Sequence, residues 1–447
     1  MTFVPHSASD RREMLARVGA SDVAELFDDV PSGLLRFEPL DLPTALSEWE
    51  AIARVEDLAA RNPSLASFAG GGMYDHHVPA AVDHLLRRSE FYTAYTPYQP
   101  EVAQGTLQAI YEFQTMVCEL TGMEVANASI YDGATATGEA ALMSISVTRR
   151  DRVVTTGALH PHYRKVLGTY VSGTASEVAH VPPGPEGTID LASTVEALDE
   201  EAACLVVQSP NFFGLVEDLE PLAEAAHEAG ALLVAVVADP MSLALVRPPG
   251  ELGADIVAAE GQPFGNAPSF GGPVVGLFAT RRKFIRRMPG RIAGATEDED
   301  GRRGYVLTLQ TREQQIRREK ATSNICTNQG LNALAATLYL ATLGRDGLRR
   351  VAEVSTQKAH YARRRLRETE GVELTHPDGV VLREFAVRTE RDPSEVVAHG
   401  IERGLLPGIR LGRFPGLESP EGLLLAFTEK RSRAEIDALI SLLAARG

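Results

Sequence analysis

The residues best placed to do chemistry fall into five clusters. In the first, Tyr95, Tyr98 and Gln99 stand around Pro97 and Pro100 in a loop (Tyr92 to Gly105) that runs into a helix. Prolines restrict the backbone, so such a loop can hold phenol and amide groups at fixed positions toward a small substrate. Buried tyrosines at an ordinary helix entry would give the same pattern. The second, Tyr131 to Gly138 (YDGATATG), offers small residues, hydroxyls and free amide hydrogens at a helix start, a good setting for a phosphate. A plain N-cap using Thr135 or Thr137 accounts for it equally well. The third is the polar turn Gln208 to Gly214 (QSPNFFG) after the apolar ACLVV, where Asn211 either bonds a ligand oxygen or closes an Asx-turn, the turn being the commoner. The fourth is Asp239, a carboxylate at the end of the strand-like ALLVAVVA. The fifth is a glycine-rich stretch, Gly261 to Pro273, which carries Phe264 and Phe270 and reads better as an interface than as a free loop. A basic run, Arg312, Arg317, Arg318 and Lys320 with Glu313 and Glu319 between, reads as an ion-paired helix face or as an anion or subunit contact. The pairs His76-His77 and His160/His162 lack a third ligand at a telling spacing, so no metal is expected.

Composition narrows the class. The chain has 447 residues, 44% hydrophobic and 23% charged, with a formal net charge of −16. That charge argues against nucleic acid, whose phosphates need a basic face. No apolar run approaches the roughly 20 residues that span a bilayer. The N-terminal MTFVPHSASDRREML has no signal layout, and three scattered cysteines (Cys118, Cys204, Cys326) suggest neither a disulfide framework nor a metal site. A cytoplasmic setting is the expectation.

The elements that must position these clusters follow from periodicity. Residues 1–65 read as an N-terminal helical segment, with Ser21-Asp22 before VAELF and Leu42-Pro43-Thr44 opening a helix to about Arg61. Helices are expected over 80–90 and over 101–121, the latter with apolar residues near a 3.6-residue period and Gly122 as its cap. From about 130 a helix after Gly133 is followed by short strands at 152–156, 177–181, 203–207, 231–237, 255–259 and 273–279, with helices at 192–199 and 218–229. Alternation of this kind predicts a doubly wound, mostly parallel sheet whose ligands sit at strand carboxyl ends. The stretch after Gly301 reads as a long helix bridging to a small C-terminal α+β domain. The expected domains are 1–65, 66–330 and 331–447.

This layout resembles that of the fold-type I (aspartate-aminotransferase-like) pyridoxal-phosphate (PLP) enzymes. In that fold a strand-end Asp pairs with the pyridine nitrogen and a lysine some tens of residues on holds the cofactor covalently. Here Asp239 is present, but no lysine occurs between it and Lys283. Taken together, YTPYQPEVAQGTLQAIYEFQTM, YDGATATGEAAL, QSPNFFG, GQPFGNAPSFGGP and LTLQTREQQIRREKATSNICTNQ are similar to the first subunit of two-subunit bacterial glycine decarboxylase, the P-protein of the glycine cleavage system. The similarity is collinear over about residues 1–447. Two small departures are Ala103, where that family often has Ser, and Gln315, where it often has His.

The resemblance implies a subunit without its own Schiff-base lysine, and so without a catalytic residue of its own. It would pair with a homologous subunit that holds PLP, as a heterodimer or an α2β2 heterotetramer. Glycine would lose CO2 there and its aminomethyl group would pass to the lipoyl arm of H-protein. On this reading Tyr95, Tyr98, Gln99, Phe264 and Phe270 belong to an active-site wall or interface. Thr135, Asn211 and Asp239 mark a vestigial cofactor position, which side chains are expected to fill. The alternative is a self-sufficient PLP-dependent lyase using one of five lysines: Lys165, Lys283, Lys320, Lys358 or Lys430.

Overall fold

The computed structural model describes residues 5–35, 40–92, 95–417 and 421–444. The chain divides into two compact units, Met1–Pro63 and Ser64–Gly447. The first contains helices Ala8–Val18 and Glu48–Ala60, and neither has a buried residue. The second helix starts later than Leu42-Pro43-Thr44 suggested. Ser47 and Glu50 form a reciprocal capping box, with amide-to-side-chain distances of 2.8 and 3.4 Å, and this fixes the start. VAELF forms only a 3-10 turn, Ala24–Phe27.

In the second unit the strands of a seven-stranded sheet lie in the spatial order Val125–Ala126, Gly276–Thr280, Ile256–Glu260, Leu232–Val237, Ala202–Gln208, Arg152–Thr156, Glu177–Val181. All neighbours run parallel except that Gly276–Thr280 is antiparallel to both of its own. The central strands are apolar throughout because both faces are covered. Alternate residues divide between two cores. Leu205, Val207, Leu233, Ala235 and Val237 face helices Gln104–Thr121, Leu219–Glu228 and the start of Gly330–Arg367. Cys204, Val206, Val234 and Val236 face helices Gly133–Thr148 and Pro161–Ser172. Gly122, in the left-handed region at φ 68°, ends the helix Gln104–Thr121.

A four-stranded antiparallel sheet (Val372–Leu374, Glu384–Thr389, Leu423–Ala426, Ile409–Arg410) has its own core with helices Pro393–Glu402 and Arg433–Ala444. The bridging helix is Gly330–Arg367, interrupted at Gly344 (φ 61°, ψ −173°); its first half packs on the large sheet's core and its second on the small one. The long helix expected after Gly301 begins only at Gly330, with a single helical turn, Gln314–Arg317, before it. Ile292–Glu297 and Arg303–Thr308 make a hairpin around an acidic turn, where the Asp298 carboxylate accepts from the amides of Asp300 and Arg302. Residues 321–329 are irregular, with Asn328 and Gln329 bonded to Ala128 and Ser129 rather than to a helical ladder. The strand Glu384–Thr389 is preceded by backbone at Val380 and Val381 that pairs with the turn at Leu215 and Val216.

That turn depends on Gly214. Its φ is +84°, and a Cβ there would lie 2.0 Å from the carbonyl oxygen of Glu384. Gly214→Ala should therefore destabilise the chain by more than the roughly 1 kcal/mol that positive φ alone costs. Gly168→Ala, in open space on helix Pro161–Ser172, should instead stabilise it by about 1 kcal/mol. Urea unfolding of the two variants checks both signs.

Candidate functional site

The carboxyl ends of the parallel strands place Gln208 and Asp239 beside His160 and the turn at Asn211, and Glu260 at the helix start of Gly133. Asp239 does not face an open pocket. Its Oδ2 accepts from Arg383 Nε at 2.6 Å and its Oδ1 from Arg383 Nη2, and both side chains are buried. Arg383 directly precedes Glu384–Thr389, an interior strand of the small sheet. Its guanidinium lies 3.9 Å above the Tyr74 ring and its Nη1 donates to His76 Nε2. His76 Nδ1 then donates to Glu429 at 2.5 Å, which fixes a neutral tautomer; burial and the Arg383 charge both lower the pKa of His76. Glu384, beside Arg383, accepts from Gly71 N at 2.7 Å and from the Tyr74 hydroxyl at 2.8 Å. His160 Nε2 donates to the Gly71 carbonyl at 2.9 Å, its Nδ1 accepts from His162 N, and burial lowers its pKa to about 4.

The helix start at Gly133 is similarly occupied. Glu260 accepts from Gly133 N at 3.0 Å and from Gln262 N at 2.9 Å, and Asp132 caps Thr135 N at 2.7 Å. Asn211 closes an Asx-turn on Phe213 N and Leu215 N, and donates to Glu217 at 2.6 Å. Side chains around Asp239 leave a cavity of ≈ 10 Å³, room for about one water.

Pyridoxal phosphate does not fit this arrangement. The carboxylate that would hold a pyridinium already holds a guanidinium. The amides that would meet a phosphate meet the carboxyl groups of Glu260 and Asp132, and among the described residues no lysine lines the cavity. Lys283 sits by Asp255, Lys430 by Asp75, and Lys358 donates to the Glu429 carbonyl.

The aromatic loop lies on an exposed face. Tyr98 is 50% exposed, with its oxygen 2.8 Å from Arg291 Nη2; Tyr95 is 73% exposed and lines a shallow cavity of ≈ 50 Å³ with Phe91, Pro97 and Leu331. Gln99 is also exposed, while Thr93 and Ala94 of this loop lie outside the described residues. Phe270 is 98% exposed. Phe264, expected at an interface, is instead wholly buried against Tyr339, because Gln262 ties its loop to both carbonyl and amide of Tyr74. The basic run is no single face either: Arg312 is drawn inward to the carbonyls of Met288, Gly290 and Leu309. No group of His, Cys, Asp or Glu among the described residues is arranged to hold a metal, and among them no helix is long and apolar enough to cross a membrane.

Sequence reasoning missed Arg383, Glu384, Glu260, Tyr74 and Arg291. The signal for the first three was a charge inside or ending an apolar run, in VVLREFAV and DIVAAE.

Removing one partner of a buried pair strands the other charge. Arg383→Met should cost about 3–5 kcal/mol in urea unfolding, and Asp239→Asn added to it should recover much of that. Burial also raises the carboxyl of Glu260 to about 8, and those of Glu139, Glu217 and Glu384 to about 7. Each keeps in the folded chain a proton that the unfolded chain releases near 4.5. The folded state binds more protons, so this contribution is complete at low pH and is lost as pH rises toward about 8. Glu260→Gln should flatten that decline: weaker than the parent at low pH, with the gap closing above about pH 8.

A family model described as "Glycine cleavage system P-protein" matches residues 1–443. The chain is 52% identical over 448 residues to "Probable glycine dehydrogenase (decarboxylating) subunit 1" of Thermomicrobium roseum, with 99% of each covered. A crystal structure of glycine decarboxylase (P-protein) of the glycine cleavage system, in inhibitor-bound form, superposes with a TM-score of 0.90 at 44% identity, covering 99% of both chains. Burkholderia pseudomallei sphingosine-1-phosphate lyase superposes with a TM-score of 0.67 at 17% identity, over 91% of this chain and 92% of its own. That likeness speaks to the fold alone, the fold-type I architecture of PLP enzymes. Sequence and structure agree that the chain belongs to the glycine cleavage system P-protein family.

Proposed function

We propose that this chain is the subunit of a two-subunit glycine decarboxylase that carries no cofactor, working only beside a homologous partner. The observation that carries this reading is the filled position at Asp239. A PLP-type scaffold whose acid is paired with Arg383, and whose helix start is closed by Glu260 and Asp132, has no place for the cofactor. When bound on the partner, PLP supplies an electron sink for the carbanion that decarboxylation of glycine leaves.

This chain's own contribution is then a wall and an interface. The exposed Tyr95, Tyr98, Phe270, Ile316 and Leu331 support that role, since monomeric surfaces rarely gather so many large apolar groups. Leu331 shares a cavity with Tyr95, and Gln315, beside Ile316, reaches the Tyr98 oxygen at 3.4 Å. The loop bearing Phe270 is tied to the same helix start through Asn266 and Asn332. A rigid phenol-and-amide face (Tyr95, Tyr98, Gln99) would orient glycine's carboxylate and exclude water while the lipoyl arm of H-protein enters from solvent. A heterodimer or α2β2 heterotetramer in the cytoplasm accommodates this.

The test is glycine-dependent CO2 exchange with lipoylated H-protein, using this chain alone, the partner alone, and the two mixed. Activity is expected only in the mixture. Activity of this chain alone would overturn the proposal. Full activity of the partner alone would leave this chain no part in the site.

A further inference from the structure

Arg291 is a buried cation that the reading above leaves without a role. It precedes strand Ile292–Glu297, and its side chain is 2% exposed. Nη2 donates to the Tyr98 oxygen at 2.8 Å and lies 3.5 Å from Glu313 Oε2. The guanidinium carbon stands 5.3 Å from the Tyr98 ring centroid, and Nε and Nη1 have no partner among the described residues.

The backbone that carries Arg291 is held on both sides. Its carbonyl accepts from Ala128 N at 2.8 Å, and Gln114 bonds both the amide and the carbonyl of Ala293. Arg312 ties the preceding turn through the carbonyls of Met288 and Gly290. The guanidinium therefore has little freedom to move away from Tyr98.

The Tyr98 oxygen receives two donors, Arg291 Nη2 and, more weakly at 3.4 Å, Gln315 Nε2. Its own hydrogen is thus left to donate away from the chain, on the half-exposed side of the ring. A cationic donor behind the oxygen polarises the hydroxyl and strengthens its bond to a negatively charged acceptor. We propose that Arg291 is a positioning residue that holds Tyr98 as an outward donor to the substrate's carboxylate. This rests on the reading that Tyr98 walls the partner's active site.

The test uses the reconstituted two-subunit complex with lipoylated H-protein, comparing Tyr98→Phe, Arg291→Gln, Arg291→Lys and the double variant Tyr98→Phe/Arg291→Gln. Tyr98→Phe should raise KM for glycine about tenfold with a smaller change in kcat, the loss of one charge-directed hydrogen bond. Arg291→Gln should act in the same direction, the double variant should be no worse than Tyr98→Phe alone, and Arg291→Lys should recover part of the loss. Subunit pairing by size-exclusion chromatography should not change. A neutral Arg291→Gln, losses that multiply, or weakened pairing with KM unchanged would overturn the role of Arg291. Failure of both Arg291 variants to fold would assign it to the scaffold and overturn it too. A silent Tyr98→Phe would instead sink the placing of Tyr98 at the partner's site.

Discussion

The buried ion pair between Asp239 and Arg383 is the constraint around which the Ser64–Gly447 unit is organised. Asp239 ends a central strand of the large sheet and Arg383 borders the small one, so the pair joins two separate hydrophobic cores. Bringing both charges out of water is favourable only when every remaining donor and acceptor is met. His76 accepts from the guanidinium and is itself held by Glu429, the Tyr74 ring lies against the guanidinium's face, Met241 N adds a donor to the carboxylate, and Glu384 secures the neighbouring Gly71 turn. The turns at Gly71 and Gly214 approach this network closely enough that a side chain on Gly214 would meet backbone.

The same network explains how a cofactor fold persists without space for its cofactor. The strand-end acid and the helix start at Gly133 are both present, and His160 lines the same cavity. Each is turned toward a protein partner: a guanidinium, two carboxyl groups and the Gly71 carbonyl. Polarity that would otherwise await a ligand is satisfied internally, which a closed interior requires.

Much of this was legible in the sequence where local signals are strong. Apolar runs of five to seven residues between helical stretches gave the central strands nearly to the residue, as at 203–207 and 231–237 for the strands Ala202–Gln208 and Leu232–Val237. Asp239, Asn211 and Thr135 stood out because strand ends and helix starts have recognisable chemistry, and Asn211 does close the turn that was the commoner reading. What could not be read were partners distant in the chain. Arg383 lies 144 residues from Asp239, and the charge inside its apolar run marks a buried position without naming the partner. The Ile292–Thr308 hairpin and the irregular 321–329 segment were missed for a related reason. The glycines and β-branched residues of the hairpin suit strands and turns, and contacts with Gln104, Gln114, Ala128 and Ser129 fix both segments from far away in the chain. Phe264 was misjudged because a glycine-rich flank suggested a surface, while Gln262 anchors the loop inward.

A side chain standing in a ligand's place is a ligand at fixed stoichiometry. Proteins that fold around a dissociable cofactor gain stability in proportion to the logarithm of its concentration, and lose it when supply falls. Arg383 cannot be diluted, competed away or depleted. On the proposed reading the chain's fold would be insulated from cofactor supply, and it would stand as a finished surface before any partner had been loaded.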